Sequence, residues 1–255
     1  VNEKIAIIYT TFLRDWLVKK TIISIFKNWQ YRFTLFIGDQ GREDYKEFLD
    51  SFKISALKKE GILWATQTYD CGVSLSRNDL IDQAAYLKFK YCLLTADSIQ
   101  FIPETVNNLD KAVQFLENHS EVGILGFDLK DRIPWEYFMD IKNNSFLLTK
   151  TGPIETDPVT GLHFKRCDIC RQFFLTKIDS ILAVKWDEQL KTGDHEDFFW
   201  RYKQAGYKVC WTPDISGQYI DYKPEEYLRY RNRQYKEFRK ILFKKHNLNN
   251  WIEYA

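Results

Sequence analysis

The chain has 255 residues, 45% of them apolar and 28% charged, and its 37 basic side chains against 35 acidic ones leave a formal charge of +2. That is ordinary for a globular protein with a sizeable core, and too balanced for a nucleic-acid-binding field. No apolar stretch approaches the length of a bilayer span and no leader pattern opens the chain. Aromatic residues reach 16%, which suits burying or stacking flat surfaces. Of the five cysteines only Cys167 and Cys170 form a C-x-x-C pair, "CDIC", and with no second pair at suitable spacing a zinc site is not expected.

Strand-like and helix-like segments alternate through the first half. "KIAIIYT" (4–10) is a short apolar run, followed by an amphipathic stretch over 14–29. "RFTLFIGDQG" (32–41) reads as a second strand and "EDYKEFLDSF" (43–52) as a helix. A third strand is expected over 61–68, a helix over 76–88, and a fourth strand over 91–97. Residues 103–119 open with proline and keep helical periodicity, and "VGILGFDL" (122–129) returns to strand. This order predicts an α/β fold, a mixed but mostly parallel central sheet with helices on both faces. Ligands of such sheets bind beyond the carboxyl ends of the strands, which here carry Thr10, Thr11, Asp39 and Asp97.

From 132 to 190 the alternation weakens. Residues 150–164 have the Gly, Pro and Thr content of a loop or irregular hairpin, while 145–149 and 171–178 are apolar enough to add strands at one edge. A helix follows over 196–206, then a last strand over 207–214. The tail over 227–245 is basic, with Tyr227, Tyr230, Tyr235, Phe238, Ile241 and Leu242 on roughly one helical stripe. A terminal helix packed on the domain is the first reading, an anionic membrane surface the second, and nucleic acid a distant third.

The run "KTGDHEDFFWRYKQAG" (191–206) sets Asp194, His195, Glu196 and Asp197 directly before three large apolar residues. One reading is a helix start, with Asp194 as N-cap and Asp197 completing a capping box. The other is a catalytic carboxylate on the rim of a cleft. Three other segments bear on the choice. Asp39 ends a strand, where it could accept from the imide N–H of a uracil ring or simply close a turn. In "CGVSLSRN", Gly72 allows close backbone approach, and Arg77, beside Asn78, can neutralise a diphosphate or pair with Asp79 or Asp82. "LLTADSIQFIP" ends a buried strand on Thr95-Ala96-Asp97, where Asp97 could also cap the following turn.

In order and spacing these segments resemble GT-A fold nucleotide-diphosphate-sugar glycosyltransferases, especially the inverting family 2, over about 5–220. The acid run and the preceding "CDICRQFFLTK" are similar to the matching stretch of ganglioside-type β-1,4-N-acetylgalactosaminyltransferases. The resemblance implies that Asp39 reads the base and that Thr10, Thr11, Gly72, Arg77, Asn78, Thr95, Ala96 and Asp97 bind the donor. It implies Mn2+ or Mg2+ held through Asp97, although Thr95 stands where the family's metal motif has its first aspartate and no histidine follows the last strand. It also implies a general base within the acid run. Glu196 or Asp194 is favoured, Asp197 is the better structural cap, and His195 is a base, an orienting group or a phosphate ligand. The expected partners are a UDP-sugar donor and a glycan or glycolipid acceptor, with inversion during transfer, no nucleic acid, and membrane-surface contact through the basic helix. Trp64, Trp135, Trp186 and Trp200 are candidates for stacking on sugar faces.

Two rivals are weighed. A nucleotidyltransferase wants a Gly-rich loop after the first strand, and "YTTFLRDW" offers none. A catalytically degraded GT-A domain, kept as a glycan-binding or scaffold module, is favoured by the broken metal motif and opposed by the acid run. The reading divides the chain into a domain over 1–220 and an extension over 221–255. It expects a cytoplasmic enzyme of surface polysaccharide synthesis at the inner membrane leaflet. The acceptor patterns at Asn118 and Asn143 keep a secretory-lumen domain as the alternative.

Overall fold

The computed structural model of the protein describes residues 5–28, 33–41 and 61–254. The alternation read from the first half is present as β1 (Ile5–Thr11), α1 (Asp15–Asn28), β2 (Phe33–Asp39), β3 (Gly61–Thr66), α2 (Val73–Tyr86) and β4 (Tyr91–Leu94). The helix expected over 43–52 lies outside the described residues. β1 pairs in parallel with β2 and β4, and β2 with β3. The expected helix over 103–119 is divided into α3 (Pro103–Val106) and α4 (Leu109–Asn118), which follow the two-residue β5 (Ile99–Gln100).

The main sheet continues with β6 (Val122–Lys130), β9 (Glu155–Thr156), β10 (His163–Cys167), β12 (Phe174–Lys177) and β13 (Lys208–Tyr219), in the order β3-β2-β1-β4-β12-β6-β13-β10-β9. β12 is antiparallel to both β4 and β6, and β13 runs parallel to β6. Six of the seven strands from β3 to β13 therefore share one direction, as expected of a mostly parallel sheet. The expectation that 171–178 joins an edge is corrected, because β12 lies in the middle. Its Phe174 and Leu175 are fully buried, and a short strand apolar on both sides suits a position covered on both faces.

Side chains alternate between those faces. Ile5, Ile7 and Tyr9 of β1 pack with Val18, Ile22 and Ile25 of α1 and with Phe115 and Leu116 of α4. Ala6 and Ile8 point the other way, toward Leu80, Ile81 and Ala84 of α2. That second face also holds α5 (Ile178–Val184), α6 (Asp194–Gln204) and α7 (Glu225–His246) through Ile181, Phe198, Phe199, Tyr202 and Leu242. Each fully buried side chain of this size stabilises the fold by about 1.5–3 kcal/mol. A smaller sheet, β11 (Ile169–Cys170), β7 (Glu136–Lys142), β8 (Ser145–Lys150) and β14 (Ile252–Tyr254), lies beside the main one.

The stripe read on the basic tail turns toward the domain. Leu242 of α7 is buried in the core, Ile241 packs against it, and Tyr227, Tyr230 and Tyr235 face the cavity described below. Among the described residues no helix is long and apolar enough to cross a membrane. All five cysteines are free.

Candidate active site

A cavity of about 610 Å³ opens at the carboxyl ends of β1 and β4. This is the size of a small-molecule site and the place where ligands of such sheets bind. Thr10, Thr11, Thr95 and Ala96 line it from the strand ends, Gly72 and Arg77 from α2 and its approach, and Asp194, His195 and Glu196 from the start of α6. The strand tip and the acid run, nearly a hundred residues apart in the chain, share one cavity.

Local backbone chemistry explains the arrangement. Gly72 precedes α2 at φ 98, where a Cβ would come within 2.7 Å of the Lys191 side chain. It donates its N–H to Gln40 Oε1 at 2.8 Å. Gly193 precedes α6 at φ 75, also in the glycine-favouring region, and packs against Trp251. The expected capping box is absent, since α6 has no side-chain cap. Asp194 is instead ion-paired to Arg77 at 2.8 Å, and Asp197 to Arg201 and Lys245, each at 2.8 Å. Charge-assisted bonds to cations are the strong ones, and they set the orientation of these two carboxylates.

The four members of the acid run consequently differ. Burial pushes the Asp194 carboxyl up and the Arg77 guanidinium down, each opposed by the partner's charge. His195 lies between Trp135 and Phe199, and burial lowers it to about 3, helped by the Arg77 charge and opposed by a backbone hydrogen bond at Cys170. It is therefore neutral at pH 7, and its Nδ1 has no hydrogen-bond partner among the described residues. Glu196 is pushed up to about 7, mainly by burial and further by Asp194, against a backbone hydrogen bond. For Asp197 burial alone would raise the value, but His246, Lys245 and Arg201 hold it down to about 2. Glu196 at about 7 titrates where a general base works best.

Several expected residues lie elsewhere. Asp39 is buried, accepts from the Gly41 N–H at 2.8 Å and is not among the cavity-lining residues; its neighbour Gln40 is. Asn78 bonds the backbone of Trp186 in both directions and Glu188, so it pins the loop before α6. Asp197 is fully buried among its cations. Of the four tryptophans proposed for stacking, Trp135 lines the cavity, Trp186 is buried flat against Phe198 at 4.0 Å, Trp200 does not line it, and the Trp64 side chain lies outside the description.

The sequence reading missed Arg14, Gln40, Lys191, Arg171 and the whole α7 wall. Tyr230 on that wall bonds the Tyr69 hydroxyl at 2.9 Å and packs edge-on against Phe12. The aromatic spacing in the tail was the available signal for it.

The residues present do not fit the divalent ion implied by the resemblance. Such an ion takes about six oxygen ligands. Asp97 is fully buried, paired to Arg14 at 2.6 Å and hydrogen-bonded by the Thr11 hydroxyl at 2.9 Å. Among the described residues no three acidic, histidine or cysteine side chains gather to hold a metal.

No family model matches the sequence, and no curated protein is similar to it in sequence. Solved structures are similar in shape. Residues 1–349 of Staphylococcus aureus TarS superpose with a TM-score of 0.59 at 15% identity, covering 85% of this chain and 60% of that one. The same protein in complex with UDP gives 0.56 at 15% identity, covering 88% and 62%. The mannosyltransferase PcManGT from Pyrobaculum calidifontis, in complex with GDP-Man and Mn2+, gives 0.62 at 13% identity, covering 92% and 61%. The fold is that of the GT-A glycosyltransferases. The chain spans about three fifths of the length of each of these neighbours. Within the GT-A frame, the cavity lies where the strand ends and the acid run meet.

Proposed function

We propose that the protein transfers a hexose or N-acetylhexosamine from a UDP-sugar to a glycan or glycolipid hydroxyl, with inversion, using Glu196 as general base. One observation carries the reading. Glu196 is a carboxyl without a cationic partner among the described residues, raised to about 7, on the wall of a cavity that also includes the strand-end residues Thr10, Thr11, Thr95 and Ala96. A hydroxyl is a poor nucleophile at neutral pH, and a base of this strength takes its proton as the new bond forms. Asp194 is the weaker choice because Arg77 and Gln172 already occupy it. Neutral His195 flanks the base, and Trp135 offers a ring for a sugar face. The neighbours' UDP and GDP-Man complexes support a nucleoside diphosphate in the cavity.

The test is transfer from a panel of nucleotide sugars to glycan acceptors, with the anomeric configuration of the product read by NMR. Turnover with inversion that Glu196→Gln abolishes supports the reading. A wild-type protein that binds the nucleotide but never turns over would instead be a binding module, and retention of configuration would overturn the in-line mechanism.

A further inference from the structure

The strand tip after β4 already holds a cation of the chain's own. Arg14 reaches from the start of α1 to Asp97 and forms a 2.6 Å ion pair whose carboxylate partner is fully buried. The guanidinium also lies over the Tyr227 ring of α7 at 4.4 Å, and the residue lines the cavity. Its Nε is buried with no hydrogen-bond partner among the described residues. The turn that delivers it is strained, since Leu13 sits at φ 54, a left-handed conformation unfavourable for a non-glycine residue. Beside it, Thr95 presents a neutral hydroxyl, Oγ1, also without a hydrogen-bond partner among the described residues.

The surrounding charge is consistent with this. Arg14, Arg77, Arg171, Lys191, Lys223 and Arg231 line the cavity against three carboxyl groups, Asp70, Asp194 and Glu196. A planar, permanently charged guanidinium matches phosphate oxygens bidentately. Anchoring it on one buried carboxylate fixes its position before the ligand arrives, so little reorganisation is needed when charge develops.

We propose that Arg14, seated on Asp97, replaces the divalent ion, so that donor binding and transfer need no metal. The inference rests on the glycosyl-transfer reading. The acceptor oxygen forms its bond to the anomeric carbon as the bond from that carbon to the β-phosphate oxygen breaks. The electron pair leaves with the diphosphate, the acceptor proton passes to Glu196, and the charge gained by the diphosphate falls beside Arg14.

The experiment measures UDP binding calorimetrically, and sugar transfer in parallel, in excess chelator and in millimolar Mn2+ or Mg2+. The expected result is a dissociation constant and rate within about twofold across all conditions. Arg14→Met should weaken UDP at least tenfold while leaving uridine, which lacks the phosphates, within twofold. Arg14→Lys, which keeps the buried ion pair if the methionine variant fails to fold, should give a smaller loss that added metal does not restore. UDP binding that vanishes in chelator and returns with Mn2+ overturns the inference and leaves the glycosyl-transfer reading standing. Folded Arg14 variants that bind UDP as tightly as wild type overturn it as well. Failure of every nucleoside diphosphate to bind under all conditions overturns both.

Discussion

Two carboxyl groups stand at the cavity, one buried behind its strand-tip wall and one on its acid-run wall, and the chain has treated them in opposite ways. At the strand-tip wall Asp97 is buried, bonded by Thr11 and ion-paired to Arg14. At the acid-run wall Glu196 lines the cavity without a paired cation among the described residues, and burial raises it to about 7. Within the acid run the same contrast recurs three residues wide. Asp194 and Asp197 are paired with arginines and lysine, while Glu196 between them has no ion-pair partner among the described residues and is raised to about 7. What a carboxylate does here is set by the partners that the fold brings to it, and residue type alone does not decide it.

Breaking that contrast at the unpaired member should have the largest effect. Glu196→Gln keeps the shape and removes the base, so transfer should fall by about 10²–10⁴-fold. UDP affinity should stay within twofold in the same preparation, and a variant that retains a tenth of the wild-type rate would transfer the role elsewhere. Next comes Arg77→Ala, which leaves Asp194 buried without its cation. Urea unfolding should show a loss of about 3–5 kcal/mol, much of it recovered when Asp194→Asn is added. A loss below about 1 kcal/mol would mean that the pair is solvated.

Asp197 sharpens the comparison more gently. Its carboxyl is at about 2 in the folded chain against an ordinary value of 3.8. Because the folded value is the lower one, the stabilisation is fully present above pH 3.8 and disappears as pH falls toward 2. The difference corresponds to about 2 kcal/mol at pH 7, which Asp197→Asn should remove with little change in transfer. The smallest effect belongs to the α7 wall. Tyr230→Phe deletes the bond to Tyr69 and should cost about 1 kcal/mol in thermal or urea unfolding. No measurable change would argue that the two hydroxyls are separately hydrated.

How much of this was legible in the sequence follows from the range of the interactions. The strands and helices of the first half are set by local periodicity, and β1, α1, β2, β3, α2 and β4 all appear where the pattern put them. The central, reversed position of β12 was not legible. Its two apolar residues, Phe174 and Leu175, announce burial, while their neighbours β4 and β6 are fixed by pairings across the sheet. The acid run was recognisable as an active-site segment candidate, but its division of labour depends on Arg201 one turn along the same helix and on Arg77, Lys245 and His246 from two other parts of the chain. The Arg14–Asp97 pair spans more than eighty residues, so a short motif centred on Asp97 reads as a metal ligand until its partner is seen. In the tail, the aromatic stripe signalled a packed helix face, and only the fold brings Tyr227, Tyr230 and Tyr235 of that face to the cavity wall.

The most direct test of the account is the pH dependence of kcat/KM for sugar transfer, measured between pH 5 and 9 where the chain stays folded. With Glu196 as a base at about 7, the rate should climb close to tenfold per unit below pH 7, level off above it, and lose that step in Glu196→Gln. A wild-type profile that is flat across the same range, or an unchanged step in the Glu196→Gln variant, would contradict it.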